Sequence, residues 1–393
     1  MREGSQQKAW LILEDGTVVE GAHFGASGTG YGELVFNTGM TGYQESLTDP
    51  SYHGQVLMFT YPMVGNYGIS PKDWESARVW PRAVVVREWC AQPSHRDSTM
   101  TLDELLRQQN VPGITGVDTR ALTLKTREKG CLRCFVTDDQ AAVPSLVAKI
   151  HTMASVEDDN LAGQASTDKL QRHGLNLAGE LNQPFGDGPI IAVLDTGIKL
   201  NILRNLARRF NVLHFPWNAT ADEISWHQPD GLFLANGPGD PAHADIEACT
   251  IPTISKLAIS LPIFGICYGN QLIARAFGAK TYKMKFGHRG ANVPTRDEIT
   301  GVVRITSQNH GFAVDGDSVA GTGLMVWERC PNDGTVEALR HETLPIFTTQ
   351  YHPEAAPGPW DSNHMFDAFY ALVETCKAGR WQAGKFPTIK GAH

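Results

Sequence analysis

A cysteine between two glycines is the feature of this 393-residue chain with the clearest chemical meaning. Cys267 follows an apolar run at 261–266, which predicts a buried strand, and precedes a helix-like segment at 268–277. Gly265 and Gly269 stand two residues before and after it, where a sharp strand-to-helix turn requires small residues. A cysteine in an ordinary position is more often a small buried hydrophobe. At such a turn it faces a helix N-terminus, which favours a thiolate, and the segment predicts a nucleophile that attacks a carbonyl group.

A second segment supplies the base and the orienting carboxylate that a nucleophile needs. It reads QYHPE (350–354) and follows another apolar run at 344–348. Residues two apart on a strand point to the same side, so His352 and Glu354 share a face if the extended path continues through Pro353. The order cysteine, histidine, glutamate is typical of α/β enzymes with a site at the carboxyl ends of parallel strands. We therefore predict a catalytic triad of Cys267, His352 and Glu354.

Two further polar segments follow predicted strands. The loop ANGPGDP (235–241) lets backbone groups approach a substrate closely, and we predict an oxyanion hole made by the N–H groups of Gly237 and Tyr268. The alternative is an ordinary turn between a strand and a helix. The segment SQNHGF (307–312) follows a strand at 303–306 and could bind a small polar substrate. His310 in this segment is a rival base, but it has no carboxylate two residues away.

Composition excludes several classes of function. Hydrophobic residues make up 41% of the chain and charged residues 19%, which are globular values, and the net charge of -8 without a basic stripe argues against nucleic acid. The sequence has neither a signal-peptide core at 1–20 nor an apolar run long enough to span a membrane. Seven scattered cysteines indicate reduced thiols in the cytoplasm. The CxxC pair of Cys131 and Cys134 lacks a second pair, so we expect no metal.

The sequence divides into three segments that differ in composition and in predicted secondary structure. Residues 1–140 are strand-rich, with a hairpin around Asp15-Gly16 and helices expected at 101–109 and 118–129. Residues 141–188 are polar and predict a helix and a linker. Residues 189–393 alternate between strands and helices, with one helix expected at 245–259, which predicts a mostly parallel sheet with helices on both faces. The predicted fold class is α/β, with an N-terminal strand-rich α+β domain before a C-terminal domain that carries the triad.

These motifs resemble those of a known family. GICYGNQ (265–271) with HPE (352–354) resembles the class I, or triad, glutamine amidotransferase domain. Other segments are similar to the small subunit of carbamoyl-phosphate synthetase: FNTGMTGYQE (36–45), LTDPSY (47–52), YP (61–62) with GNYG (65–68), GITGVDTRAL (113–122), DTGIKLNIL (195–203), NGPGDP (236–241) and KFGHRG (285–290). The resemblance extends in order over nearly the whole chain.

The resemblance implies a reaction and a binding site. It implies that Cys267 attacks glutamine to form a γ-glutamyl thioester, that His352 protonates the departing ammonia and activates water, and that Glu354 orients His352. The positions where the family binds glutamine are Gly39, Lys199, Gly237, Gly239, Tyr268, Gln271, Asn309, Gly311 and Phe312. Many relatives carry serine where this chain has Gly39, so a side-chain contact would be absent there.

The resemblance also implies a partner. Ammonia would pass to a large subunit that uses bicarbonate, ATP and Mg to make carbamoyl phosphate for arginine and pyrimidine synthesis. This chain has no P-loop and is expected to carry no cofactor of its own. Three alternatives remain open: an amidotransferase for anthranilate or guanylate synthesis, a cysteine hydrolase with an α/β-hydrolase-like elbow, and a regulatory subunit that does not cut glutamine. The N-terminal half argues against the first two, and the complete triad argues against the third.

Overall fold

The chain folds into two compact units that divide between Asp159 and Asn160. A computed structural model describes residues 7–155 and 157–386. The division lies inside the segment 141–188 that the sequence predicts as a helix and a linker. Residues from Asn160 onward therefore belong to the second unit. Among the described residues, no helix is both long and apolar enough to cross a bilayer.

The first unit is built on a closed β-barrel. Its strands are β1 (Lys8–Leu13), β2 (Val18–Gly25), β3 (Thr29–Asn37), β4 (Gln55–Phe59), β5 (Met63–Val64), β6 (Ala83–Val85), β7 (Glu88–Trp89), β8 (Pro112–Thr115) and β9 (Leu132–Thr137). Its α-helices are α1 (Tyr43–Thr48), α2 (Leu102–Gln108), α3 (Thr119–Lys129) and α4 (Val143–Lys149). The barrel closes in the order β1-β2-β8-β6-β4-β3-β9, and β5 pairs with β7 beside it.

A hairpin and a helix start in the first unit form where the local sequence predicts them. The hairpin of β1 and β2 turns through Asp15 and Gly16, and Gly16 has a positive φ of 86° that favours glycine. The helix α2 begins with a capping box, in which Thr101 Oγ1 accepts from the Glu104 N–H at 3.1 Å while the Glu104 carboxylate accepts from the Thr101 N–H at 2.7 Å. Both predictions are confirmed.

The second unit is built on one mixed sheet. Its strands are β10 (Gln171–His173), β11 (Ile190–Asp195), β12 (Asn211–Pro216), β13 (Gly231–Leu234), β14 (Ile263–Ile266), β15 (Thr281–Asp297), β16 (Val303–Val314), β17 (Leu324–Arg329), β18 (Val336–His341) and β19 (Ile346–Thr349). They are ordered β10-β12-β11-β13-β14-β19-β18-β17-β15-β16. The run β12-β11-β13-β14-β19 is parallel. The strands from β18 to β16 extend it with antiparallel pairs that the sequence did not predict.

Helices cover both faces of the parallel strands. They are α5 (Leu161–Ala165), α6 (Leu200–Ala207), α7 (Ala221–Trp226), α8 (Ile251–Leu257), α9 (Tyr268–Ala276) and α10 (Met365–Lys377). Neighbouring strand residues belong to different cores, as the alternation of side chains requires. Leu232 packs in the core that contains α8 and α9, whereas Phe233 packs in the core that contains α6 and α10. The predicted fold class, a strand-rich first part followed by an α/β domain, is confirmed.

Two elements differ from their predictions. The helix expected at 245–259 begins with a π-helical turn, Ile246–Thr250, before α8. Pro252 lies in the first turn of α8 and lacks the N–H that a continuous helix would use, which accounts for the interruption. The strand expected at 303–306 continues to Val314 as β16. The polar segment 307–312 is therefore part of a strand paired with β15 and does not form a loop after one.

Candidate active site

Cys267 lies in the turn between β14 and α9, in a strained backbone conformation. Its φ of 55° and ψ of -99° are unfavourable for a residue with a Cβ. A Cβ on Gly265 would lie 2.7 Å from the carbonyl oxygen of Gly269, and a Cβ on Gly269 would collide with the carbonyl of Leu234. The two glycines therefore allow α9 to pack against β13 and β14 while Cys267 stands at the helix N-terminus. This is the geometry of a nucleophile elbow.

We expect Gly265→Ala to destabilise the second unit and to displace Cys267. The added methyl group would have to push away backbone atoms of α9, and overpacking of this kind costs about 1–3 kcal/mol. Thermal or urea unfolding of the purified variant measures this loss. Gly186→Ala is the control, because its Cβ meets only an ordinary contact of 4.0 Å with Leu175. Equal stabilities for the two variants would contradict the tight packing inferred at the elbow.

His352 and Glu354 form a buried hydrogen-bonded pair. The Nδ1 atom of His352 lies 2.7 Å from Oε1 of Glu354, and both residues are almost fully buried. The pair does not arise from strand alternation as predicted, because β19 ends at Thr349. Residues 352–355 instead form a turn in which the Ala355 N–H donates to the His352 carbonyl at 3.1 Å. The turn brings the two side chains together on one side of Pro353.

The charges around His352 favour its protonated form. Burial alone would lower its pKa, but the Glu354 carboxylate and the Cys267 sulfur outweigh burial and raise the pKa of His352 to about 10. Burial likewise would raise the pKa of Glu354, but Lys199 and His352 lower it to about 2. The Lys199 ammonium lies 2.9 Å from Oε1 of Glu354. Within the described residues, Nε2 of His352 has no hydrogen-bond partner, which leaves it available for proton transfer.

His310 is held in a way that does not suit a general base. Its Nδ1 lies 2.8 Å from the Phe312 carbonyl oxygen, and its Nε2 lies 3.0 Å from Oε1 of Gln308. Burial is the main cause that lowers its pKa well below the usual value for histidine, and nearby cationic groups add to this effect. Both ring nitrogens thus lie beside acceptors of the protein, whereas His352 has one nitrogen paired with a carboxylate and the other without a hydrogen-bond partner among the described residues. The geometry favours His352 as the base.

Besides His352, whose pKa it helps to raise, the Cys267 sulfur has two polar neighbours, one of which the sequence did not suggest. Nε2 of Gln350 lies 3.6 Å from Sγ, and the carbonyl oxygen of Asn309 also lies 3.6 Å from Sγ. Gln350 is fully buried and stands two residues before His352. The only sequence signal for it was this closeness to His352, which does not by itself indicate a contact with the cysteine.

The two N–H groups predicted for the oxyanion hole belong to residues that follow two adjacent parallel strands. Gly237 follows β13, and Tyr268 is the first residue of α9 after β14, which pairs with β13. The N–H of Tyr268 has no acceptor within its own helix, as for any first-turn residue. A Cβ on Gly237 would collide with the Thr196 carbonyl, so the loop needs glycine at this position. Their role in binding an oxyanion stays a prediction.

The other predicted glutamine-binding residues occupy varied positions. Asn309, Gly311 and Phe312 lie on β16, and Gly239 lies in the loop after β13 with a positive φ of 89°. Gln271 on α9 donates from Nε2 to the Phe312 carbonyl at 2.8 Å and to Gln350 Oε1 at 3.1 Å. The part of these residues in binding glutamine stays a prediction.

Two further predicted glutamine-binding residues, Lys199 and Gly39, make contacts within the protein. The Lys199 ammonium contacts Glu354 Oε1 and, at 3.2 Å, the Ala355 carbonyl. Its direct contact with glutamine stays a prediction, and the structure gives it a role in holding Glu354. Gly39 lies in the first unit after β3, where its N–H donates to Oδ1 of Asn37 at 2.7 Å. Its part in glutamine binding also stays a prediction.

One cluster of potential metal ligands lies beside this region. His288, Cys330 and Glu337 have ligand atoms within 4.8 Å of one another. However, the His288 Nε2 lies 2.8 Å from Asp333, and its Nδ1 lies 3.3 Å from Glu337. Burial would lower the pKa of His288, but these two carboxylates raise it to about 10. An imidazolium between two carboxylates accounts for the cluster, and we assign no metal to it.

Two family descriptions match the chain, one in each unit. Residues 11–136 match "Carbamoyl-phosphate synthase small chain, CPSase domain". Residues 192–372 match "Glutamine amidotransferase class-I", and this range contains Cys267, His352 and Glu354. A solved structure from Thermoplasma acidophilum, described as part of a GMP synthase, has 21% identity and a TM-score of 0.43, and covers 50% of this chain and 98% of its own.

Curated relatives are similar over nearly the full length of the chain. A carbamoyl phosphate synthase small chain from Staphylococcus epidermidis is 45% identical over 372 residues, which are 94% of this chain and 97% of the relative. A pyrimidine-specific small chain from Lactiplantibacillus plantarum is 46% identical over 374 residues, with the same coverage. A small chain from Fusobacterium nucleatum is 46% identical over 366 residues, 93% of this chain and 98% of the relative. The chain belongs to the carbamoyl-phosphate synthase small-chain family.

Proposed function

We propose that this chain hydrolyses glutamine to glutamate and ammonia, in the role of the small subunit of a glutamine-hydrolysing carbamoyl-phosphate synthase. The observation that carries the proposal is the elbow cysteine together with the buried His352–Glu354 pair, whose histidine has a free ring nitrogen. A nucleophile, a base and an orienting carboxylate are the groups that acyl transfer from an amide requires. Membership of the small-chain family supports glutamine as the substrate.

The proposed reaction has two halves. In the first, the Cys267 thiolate attacks the carboxamide carbon, and the carbonyl oxygen becomes an oxyanion that accepts from the N–H groups of Gly237 and Tyr268. Protonated His352 gives its Nε2 proton to the leaving nitrogen, so that the C–N bond breaks, ammonia departs and a γ-glutamyl thioester remains. The raised pKa of His352 favours the imidazolium that this step needs.

In the second half, water replaces ammonia. Neutral His352 removes a proton from the water while its oxygen attacks the thioester carbon, and the C–S bond breaks to regenerate the thiolate and release glutamate. Glu354 holds Nδ1 of His352 through both halves, and Lys199 donates to the same oxygen, Oε1 of Glu354. Lys199 therefore keeps the buried carboxylate ionised also while His352 is neutral.

The ammonia is proposed to pass to a large synthetase subunit, which uses bicarbonate, ATP and Mg to form carbamoyl phosphate for arginine and pyrimidine synthesis. In this proposal the small subunit holds no cofactor. The family name of its relatives, a small chain, supports the existence of a larger partner. The match of the first unit to the small-chain domain supports a role for that unit in binding the partner.

The test is to assay the purified full chain with and without the large subunit of the same organism. We expect glutamate release from glutamine, and carbamoyl phosphate formation from glutamine only when both subunits are present. Ammonia supplied directly should support synthesis by the large subunit without this chain. A chain that binds the large subunit but releases no glutamate would favour the regulatory alternative. Transfer of nitrogen to chorismate or to xanthosine monophosphate would favour another amidotransferase.

Removal of the first unit should separate folding from partner binding. The fragment should begin at Asn160, because Ala162 packs in a core of the second unit and β10 pairs with β12. We expect this fragment to fold, since it has its own sheet and cores, but to fail to co-purify with the large subunit. Circular dichroism checks the fold, and gel filtration with the large subunit checks the binding. A fragment that binds as tightly as the full chain would assign partner binding to the second unit.

A further inference from the structure

The side chain of Gln350 lies against the nucleophilic sulfur and has no part in the reaction described above. Its Nε2 is 3.6 Å from Sγ of Cys267, and the whole residue is buried. We propose that Gln350 stabilises the Cys267 thiolate by donating a hydrogen bond from Nε2 to Sγ. This proposal rests on the proposed function, because it assigns a group that prepares the same nucleophile.

The orientation of the Gln350 amide is fixed by its partners. Its Oε1 accepts from Nδ2 of Asn270 at 3.0 Å and from Nε2 of Gln271 at 3.1 Å. Both partners are amide nitrogens and can only donate. A rotated Gln350 amide would turn its own NH₂ group toward two donors and lose both hydrogen bonds. The NH₂ group therefore faces the sulfur, and it is a donor whatever the state of the cysteine.

The donors continue through Asn270, while the Gln271 amide is held by its donation to the Phe312 carbonyl at 2.8 Å, which can only accept. Oδ1 of Asn270 accepts from Oγ1 of Thr348 at 2.6 Å, and Thr348 Oγ1 accepts in turn from the Leu339 N–H at 3.0 Å. The donors thus run in one direction, from Leu339 through Thr348, Asn270 and Gln350 to the sulfur. Hydrogen bonds aligned in this way polarise one another in a buried site, so the last donor in the chain is strengthened.

A second neighbour of the sulfur favours the thiol form. The carbonyl oxygen of Asn309, 3.6 Å from Sγ, can accept from a thiol but repels a thiolate. A donor to the charged form shifts the balance toward that form. Gln350 is a neutral donor, so it can act on the sulfur in every protonation state of His352. It therefore stabilises the thiolate before the attack on the carboxamide and again when the C–S bond breaks in the second half-reaction.

The test titrates Cys267 in the full chain without glutamine. A thiolate absorbs ultraviolet light that a thiol does not, and the difference between each protein and its Cys267→Ser counterpart reports Cys267 alone. Gln350→Met keeps the size of the side chain but removes the donor. We expect the pH of half-maximal thiolate formation to rise by about one to two units, since a hydrogen bond to a charged group contributes about tenfold or more.

Gln350→Glu separates donation from packing. Glutamate keeps the shape and still accepts from Asn270 and Gln271, so a packing role predicts a milder effect than that of Gln350→Met. Donation to the sulfur predicts an effect at least as large, because a carboxylate oxygen would replace the N–H and its negative charge would also repel the thiolate. Alkylation by iodoacetamide gives a second readout, with the exposed Cys249 as an internal control whose rate should not change. Circular dichroism and thermal unfolding show whether each variant is folded.

The outcomes separate this proposal from the proposed function. If both Gln350 variants fold and titrate like the unaltered chain, the proposal is overturned even when glutamine hydrolysis is observed. The proposal is also overturned if the pH of half-maximal thiolate formation changes less in Gln350→Glu than in Gln350→Met. That result would mean that Gln350 acts through packing. If the pH of half-maximal thiolate formation rises in both variants but neither the variants nor the unaltered chain release glutamate, the role of Gln350 stands and the glutaminase proposal fails.

Discussion

Replacement of Cys267 by serine is expected to remove glutamine-dependent synthesis and to leave ammonia-dependent synthesis intact. A serine hydroxyl on the same strained elbow stays protonated near neutral pH, so the attacking anion is missing. We expect the glutamine-dependent rate of the reconstituted complex to fall by roughly 10⁴–10⁶-fold, as loss of a nucleophile does in catalytic triads. Carbamoyl phosphate formation with glutamine or with ammonia as the nitrogen source measures the two rates separately.

The chain offers a matched control for this variant. Cys249 is exposed and makes no part of the site, so Cys249→Ser should keep both rates. A glutamine-like electrophile should also modify Cys267 and spare the other cysteines, and peptide mapping identifies the modified residue. If Cys267→Ser kept its glutamine-dependent rate, the elbow cysteine would have no role in the reaction.

Replacement of His352 by asparagine is expected to lower glutamine hydrolysis by about 10²–10⁴-fold, the usual contribution of general acid–base catalysis. Asparagine cannot exchange a proton with the leaving nitrogen or with water at the position of Nε2. Because the second half-reaction also needs this base, the thioester should accumulate, and mass spectrometry of the intact protein can detect it. The exposed His151 provides the control, and His151→Asn should behave like the unaltered chain.

The same site predicts a weaker effect for Glu354→Gln. An amide oxygen can take the place of Oε1, which accepts from both His352 and Lys199, while Oε2 has no partner among the described residues. The lost negative charge should lower the pKa of His352, because the carboxylate is what chiefly raises it against burial. The alkaline limb of the pH profile should therefore move to lower pH. A loss of activity larger than that of His352→Asn would mean that the two roles are reversed.

Alanine at position 354 would be a less informative change. The Lys199 ammonium and the Glu354 carboxylate are both buried, and removal of the carboxylate would leave a buried cation without its counterion. Breaking a buried pair in this way costs about 3–5 kcal/mol, which would confuse a loss of stability with a loss of catalysis. Glutamine at the same position also removes the negative charge, but its amide oxygen still accepts from Lys199 and His352, so the loss of stability should be smaller than for alanine.

Sequence alone identified the features that depend on neighbouring residues. The elbow at Cys267, the hairpin at Asp15-Gly16 and the capping box at Thr101 are each set by residues within a few positions of one another, and each formed as predicted. A turn or a cap has a local physical cause, so its signal is contained in a short segment.

The features that the sequence did not reveal depend on distant residues. Closure of the barrel requires β1 to pair with β9, more than a hundred residues away, and apolar periodicity does not specify which strands pair. The contact of Gln350 with Cys267 likewise joins two segments of the chain through the pairing of β14 with β19. His352 and Glu354 were assigned to the same face for a different reason from the one observed, because Pro353 belongs to a turn and not to a strand.

The closed barrel of the first unit limits how another protein can bind to it. Strands that pair on both sides have no row of free N–H and C=O groups, so no foreign strand can extend the barrel. A partner must instead recognise side chains and the loops between strands, which vary more readily than a backbone pattern. The same closure protects the barrel strands from edge-to-edge aggregation before a partner binds. The sheet of the second unit, which ends in β10 and β16, has the open edges that the barrel lacks.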